Sequence, residues 1–164
     1  MSKTTATPAF DPDIVRAHRN YVTAINSNDT DRVMACYDKD AVVMQPDGPL
    51  VQGRRGLRKW VADYFRAYKT HWVKKSIVMW KAGDYGFDQG HDTAKDLPIL
   101  RDSRGRITGY GKPIRYDVKG ILVYKKQKTG EWLVYRDIWN ANQPPAAPAA
   151  DPAPAKKPRA KKAR

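Results

Sequence analysis

Few side chains in this sequence have chemistry to offer, and they are widely spaced. In the stretch "EWLVYRDIWNA", alternation puts Leu133, Tyr135, Asp137 and Trp139 on one face of a strand, so a carboxyl stands among aromatic rings. Burial would raise its pKa and fit it for general acid or base work near neutrality, whereas an arginine such as Arg115 close by would lower it again. Alternatively, Asp137 pairs with an arginine or a backbone group and simply fixes its strand. Tyr21 has two readings as well, a hydrogen-bond donor to a bound carbonyl oxygen or a packed ring whose hydroxyl is satisfied locally.

Other candidates are weaker. Asp88 and His91 in "FDQGHD" face opposite sides of a regular strand, so they form a solvated edge unless a bulge at Gly90 brings them together. His18 and His71 have no Cys, Asp or Glu at metal-ligand spacing, and with no HxxxH or CxxC element no metal site is expected. The single Cys36 excludes an internal disulfide and reads as a small buried residue rather than a nucleophile. No Ser-His-Asp or Cys-His arrangement is present, and "GDYGFDQG" and "RGRITGYGK" lack the strand-then-helix setting of a phosphate cradle. A nucleophilic hydrolase is set aside, and no cofactor is expected.

The elements that must hold these residues can be read in order. Asp11-Pro12 starts a helix, the aspartate as N-cap and the proline at the first helical position, and Ile14, Ala17, His18, Tyr21, Val22 and Ile25 recur along one of its faces. "NSNDT" ends it, and Asp29 or Thr30 caps a short second helix carrying Val33, Met34 and Tyr37. Ala41 to Met44 is a short strand before the turn Pro46-Asp47-Gly48-Pro49. From Arg54 a third helix aligns Leu57, Trp60, Val61, Tyr64, Phe65 and Tyr68. Beyond Thr70 the period becomes two, with long strands and a hairpin at "QKTG"; "DLPILRDSRGRITGYG" is either a hairpin end or a mobile loop. Helices first and a strand meander after them define an α+β fold, helices on one face of an antiparallel sheet.

A chain of 164 residues, 41% hydrophobic and 29% charged, suits one domain, assigned to residues 11–143 between a flexible 1–10 and a disordered tail at 144–164. That tail, "PPAAPAADPAPAKKPRAKKAR", has no large apolar side chain with which to offset the entropy of folding. Its Lys156, Lys157, Arg159, Lys161, Lys162 and Arg164 stand against Asp151, which accounts for +5 of the net +14 and leaves +9 elsewhere. Such a tail can contact nucleic acid or another polyanion, or serve solubility alone. No apolar run reaches the roughly 18 residues of a membrane span, and "MSKTTATPAFDP" lacks a secretory signal, so a cytoplasmic protein without membrane contact is expected.

The segments "YDKDAVVMQPDG", "VQGRRGLR" and "GEWLVYRDIWN" resemble the superfamily of nuclear transport factor 2, ketosteroid isomerase and SnoaL-like polyketide cyclases, over about Asp11 to Asn142. The resemblance implies a cone-shaped barrel, a strongly bent antiparallel sheet on three N-terminal helices around a hydrophobic pocket, commonly in a homodimer. In the steroid isomerase pattern the oxyanion donor matches Tyr21, the proton-shuttling carboxylate falls on Gln45 and the partnering acid on Leu122. An amide cannot shuttle a proton near neutral pH and leucine donates nothing, so that mechanism is not expected. The resemblance puts the Asp137 face on the pocket wall and leaves an acid-base isomerase, cyclase or dehydratase with Asp137 and Tyr21 in catalytic roles. Gln45, Trp60, Tyr64, Tyr116, Tyr124 and Trp139 would contact a small, largely apolar molecule. The alternative is a binding or dimerisation module without catalysis, tethered by its tail.

Overall fold

The computed structural model describes residues 10–142. Residues 1–9 of the assigned start, and the assigned tail with its six cations, lie outside the described residues. Three helices, α1 (Pro12–Asn26), α2 (Thr30–Ala35) and α3 (Gly53–Ala67), cover one face of a seven-stranded sheet. Its strands are β1 (Tyr37–Met44), β2 (Val51–Gln52), β3 (Tyr68–Ala82), β4 (Tyr85–Arg101), β5 (Ile107–Tyr110), β6 (Ile114–Lys126) and β7 (Trp132–Ala141). They run in the order β2-β1-β7-β6-β4-β3, with β5 paired to β4. Neighbours are antiparallel except β1 and β7, which run parallel. The stretch after Lys95 is a hairpin end: β4 continues to Arg101 and turns back into β5.

Local chemistry sets the helices. Asp11 accepts from the backbone N–H groups of Asp13 and Ile14, satisfying two donors that a helix start leaves orphaned, with Pro12 at the first position. Asp29 caps α2 in the same way. The apolar stripe of α1 buries Ile14, Ala17, Tyr21 and Ala24 against Met79, Tyr124 and Trp132 of the sheet. Between α1 and α2, Asn26 and Asn28 have a second use. Each side-chain amide pairs with both the N–H and the C=O of one residue on β3, Asn26 with Trp72 and Asn28 with Thr70. Two asparagines thus imitate a neighbouring strand and satisfy an edge that would otherwise be open.

Of the four register shifts in the sheet, two bear on the cavity. On β3 the pairing steps from Ser76↔Gly90 to Val78↔Gln89, leaving Ile77 extra. On β7 it steps from Val134↔Tyr124 to Arg136↔Val123, leaving Tyr135 extra. The second bulge corrects the simple alternation of the last strand: Trp132 and Val134 are buried before it, Asp137 after it, and Leu133 and Tyr135 do not share the face of Asp137. Tyr135 lies under the Arg136 guanidinium at 3.6 Å, beside Lys125 and Tyr85.

Gly120, paired across the sheet with Trp139, has no room for a side chain, because an added Cβ would press on the Ile138 carbonyl oxygen and on Trp139. Gly120→Ala is expected to lower unfolding free energy by about 1–3 kcal/mol in urea titrations. A neutral result would mean that β6 and β7 can separate freely at this point.

Candidate active site

The cavity of about 380 Å³ lies between the three helices and the inner face of the sheet. Asp137 forms part of its wall, 5% exposed. Its Oδ2 accepts from the Tyr21 and Tyr37 hydroxyls, each at 2.8 Å, and the two hydroxyls are 3.0 Å apart. Oδ1 has no protein hydrogen bond among the described residues. Burial pushes the Asp137 pKa up, while the Lys74 ammonium and the two tyrosine bonds pull it down and Asp92 adds to the rise. Burial, then the nearness of Asp137, raises Tyr21 and Tyr37 well above the ordinary tyrosine value, so both hydroxyls keep their protons.

The cation beside Asp137 is Lys74 and not Arg115, which is exposed. Lys74 reaches the cavity because Thr70, Trp72, Lys74 and Ser76 turn inward on β3 up to the bulge. Its ammonium bonds Asp92 Oδ2 at 2.6 Å and lies 5.2 Å from the Trp72 ring centroid and 5.8 Å from that of Tyr21. Asp92 is one of three aspartates on the buried face of β4, with Asp88 and Asp96. The Tyr64 hydroxyl sits 2.8 Å from both oxygens of Asp96, and the Thr70 hydroxyl donates to Oδ1. Lys74, Asp92 and Asp96 escaped the sequence reading, although period two applied to "WVKKS" and "DQGHDTAKD" carries their signal.

Most of the anticipated wall comes together. Trp60 stacks with Tyr64 at 6.4 Å and tilts against Trp139 at 6.2 Å, and Tyr116 stacks on Trp72 at 6.4 Å. Gln45 stands at the rim beside Pro46 and Asp47. Trp60 Nε1 is 3.1 Å from Gln45 Oε1, and since an indole nitrogen only donates, this fixes the amide orientation, with its nitrogen lying over Gly48. Tyr124 is the exception: it is fully buried in the core, bordering a separate hollow of about 260 Å³ with Cys36 and Trp132. Leu122 is buried opposite Asp137 in the ladder.

The remaining polar candidates separate. Asp88 is buried rather than on a solvated edge, and its Oδ2 is 2.6 Å from His18 Nδ1, a partner seventy residues away in sequence. His91 points outward to Asp117, and the bulge lies at Ile77 instead of Gly90. Cys36 is partly buried, and burial raises its pKa, away from thiolate chemistry. Among the described residues no helix is long and apolar enough to cross a membrane.

With fold and cavity in view, comparisons place the chain. The model of the SnoaL-like domain matches residues 18–135, and the protein belongs to that family, within the NTF2-like superfamily. A ketosteroid isomerase-like protein from Erwinia carotovora atroseptica is 21% identical with a TM-score of 0.63, over 82% of this chain and 100% of that one. A candidate dehydratase of the NTF2-like family from Streptomyces avermitilis is 12% identical with a TM-score of 0.66, over 79% and 93%. An NTF2-like superfamily protein from Salmonella enterica serovar Typhimurium is 11% identical, also at 0.66, over 81% and 91%. No curated protein matches the chain.

Since the folded protein holds the Asp137 proton more tightly than the unfolded chain does, this group's stabilisation is complete below the unfolded carboxyl range near pH ~4 and is lost as pH rises through the folded value. Asp137→Asn keeps an acceptor for both tyrosines and cannot ionise. Its thermal midpoint is expected to gain on the wild type as pH increases upward from about 4, and a gap that shrinks with pH would mean that the carboxylate is favoured by the fold.

Proposed function

We propose that the protein binds a small, largely apolar molecule in this cavity and transfers a proton on it, as a cofactor-independent isomerase, cyclase or dehydratase. The observation that carries the proposal is the buried Asp137 carboxyl on the cavity wall, with Oδ2 held by two tyrosines and the other oxygen without a protein hydrogen bond among the described residues. In the ionised form it removes a proton from a carbon next to an electron-withdrawing group, and the protonated form returns it to another carbon or to a leaving hydroxyl. An aromatic surround that excludes water raises the basicity of the carboxylate and holds the substrate against it. Tyr21 acts through Asp137, because its hydroxyl is already engaged there and with Tyr37. Gln45 offers its amide N–H at the rim to a ligand oxygen, and Trp60, Tyr64, Tyr116 and Trp139 supply the contact surface.

Two features support the direction without fixing the reaction. Gln45 occupies the corner where steroid isomerases carry their proton-shuttling carboxylate, so the proton-transfer group is moved to the neighbouring strand β7, where Asp137 pairs with Val43. The similar Streptomyces protein is described as a candidate dehydratase, a reaction that one acid-base carboxyl can serve. A homodimer through the outer sheet face, where Val73 and Ile77 are exposed, belongs to the same proposal.

The test is deuterium exchange at acidic C–H positions, followed by NMR in D2O, over a panel of small cyclic ketones and β-hydroxy ketones. Asp137→Asn is expected to reduce any catalysed exchange at least 100-fold, and Tyr21→Phe less. Undiminished exchange in a folded Asp137→Asn protein would remove the acid-base assignment.

The basic segment 144–164 supports a second, separable role, since six cations on a stretch without large apolar side chains suit electrostatic contact with nucleic acid or another polyanion. Binding to a DNA duplex is expected to weaken steeply between 50 and 200 mM salt and to vanish when the segment is deleted. Equal binding without the segment would abolish this role.

A further inference from the structure

We infer that the molecule held in the aromatic cavity carries a positive charge, as a small amine or quaternary ammonium compound; this rests on the cavity being the ligand site. Four carboxyl side chains border the cavity, Asp47, Asp92, Asp96 and Asp137, against the single ammonium of Lys74. That ammonium bonds Asp92. Asp96 is met by Tyr64 and Thr70, and Asp137 by Tyr21 and Tyr37, all of them neutral hydroxyls. Hydroxyl donors solvate a carboxylate but do not neutralise it, and a buried carboxyl without a counter-charge is costly to ionise. The one ammonium also lies near Asp137, so a single cation serves a lining of four carboxyls, and a cation from outside would offset the excess. A neutral ligand would leave that excess of carboxyls in place, and an anion would meet carboxyls and the electron-rich faces of Trp60, Trp72, Tyr116 and Trp139.

The cavity already seats one cation in this way. Lys74 Nζ lies within cation–π range of both Trp72 and Tyr21 while bonded to a carboxylate. A ligand cation set against one of the remaining carboxyls and an aromatic face would repeat the arrangement. Composition does not explain the acidity of this lining, since the chain as a whole carries a net +14. At short range inside a low-dielectric hollow, the near carboxyls outweigh surface charges screened over roughly 8 Å in physiological salt.

A pH dependence follows. The groups facing Asp137 are Tyr21 from α1, Tyr37 from β1, Lys74 from β3, Asp92 from β4 and Tyr124 from β6; among the described residues Lys74 is the cation of the set. A bound cation favours the ionised carboxyl, so binding expels the Asp137 proton and affinity rises with pH. An ionised Asp137 is also the form that can accept a substrate proton.

The test is a matched pair of probes, choline and its uncharged carbon isostere 3,3-dimethylbutan-1-ol, titrated against tryptophan fluorescence of the full chain. At pH 8 choline is expected to bind roughly tenfold tighter. That preference should shrink as pH falls, and in both Asp137→Asn and Asp96→Asn, so that one folded variant suffices. Equal or tighter binding of the alcohol overturns the cationic ligand and leaves the apolar-ligand reading intact. No response to either probe at millimolar concentration would sink both.

Discussion

Three carboxyls on the inner face of one strand impose the condition that the rest of this structure meets. Asp88, Asp92 and Asp96 recur every fourth residue on β4, all less than a tenth exposed, so each must find donors inside the fold. The donors come from different elements: His18 on α1 for Asp88, Lys74 on β3 for Asp92, Tyr64 on α3 with Thr70 on β3 for Asp96. Removing one partner would leave a buried acid unmatched, a penalty of about 3–5 kcal/mol where the pair is ionic. The strand thereby specifies where two helices and its neighbouring strand dock, in a way that apolar packing alone would leave free to slide.

The edge of the sheet is tied into the same arrangement. Asn26 and Asn28 hold Trp72 and Thr70 through four hydrogen bonds, and Lys74 follows on the same inward row. The end of a helix thus sets the height at which an ammonium enters the cavity. On the far side the bulge at Tyr135 rotates the end of β7 so that Asp137 turns inward beside Trp139. Asp137, like Asp88, uses one oxygen, whereas Asp92 and Asp96 use both.

Membership of the SnoaL-like family explains the frame and leaves the chemistry to the lining. The corner at Gln45 illustrates this. Its backbone leads into the Pro46-Asp47 turn at the cavity rim, yet its amide is locked by Trp60 and cannot exchange a proton. Titratable chemistry is instead concentrated on β3, β4 and β7, around a lysine that serves two acids.

The sequence by itself determined the helix starts, the α+β order, the hairpins and the family, because caps, turn residues and apolar periodicity act over a few residues. It also located Trp60, Tyr64, Tyr116 and Trp139 on elements that do converge. Tertiary structure alone decided which face each strand presents. A bulge adds one residue, and with a period of two that reverses every position beyond it, so Asp137 is inward while Leu133 and Tyr135 leave its face. Partners were equally out of reach. His18 with Asp88 and Tyr21 with Asp137 are 70 and 116 residues apart, and the substitution of Lys74 for Arg115 beside Asp137 depends on strand register rather than on any local signal. Tyr124 went into the core for the same reason: an aromatic on an inward row fills whichever volume the curvature of the sheet leaves beneath it.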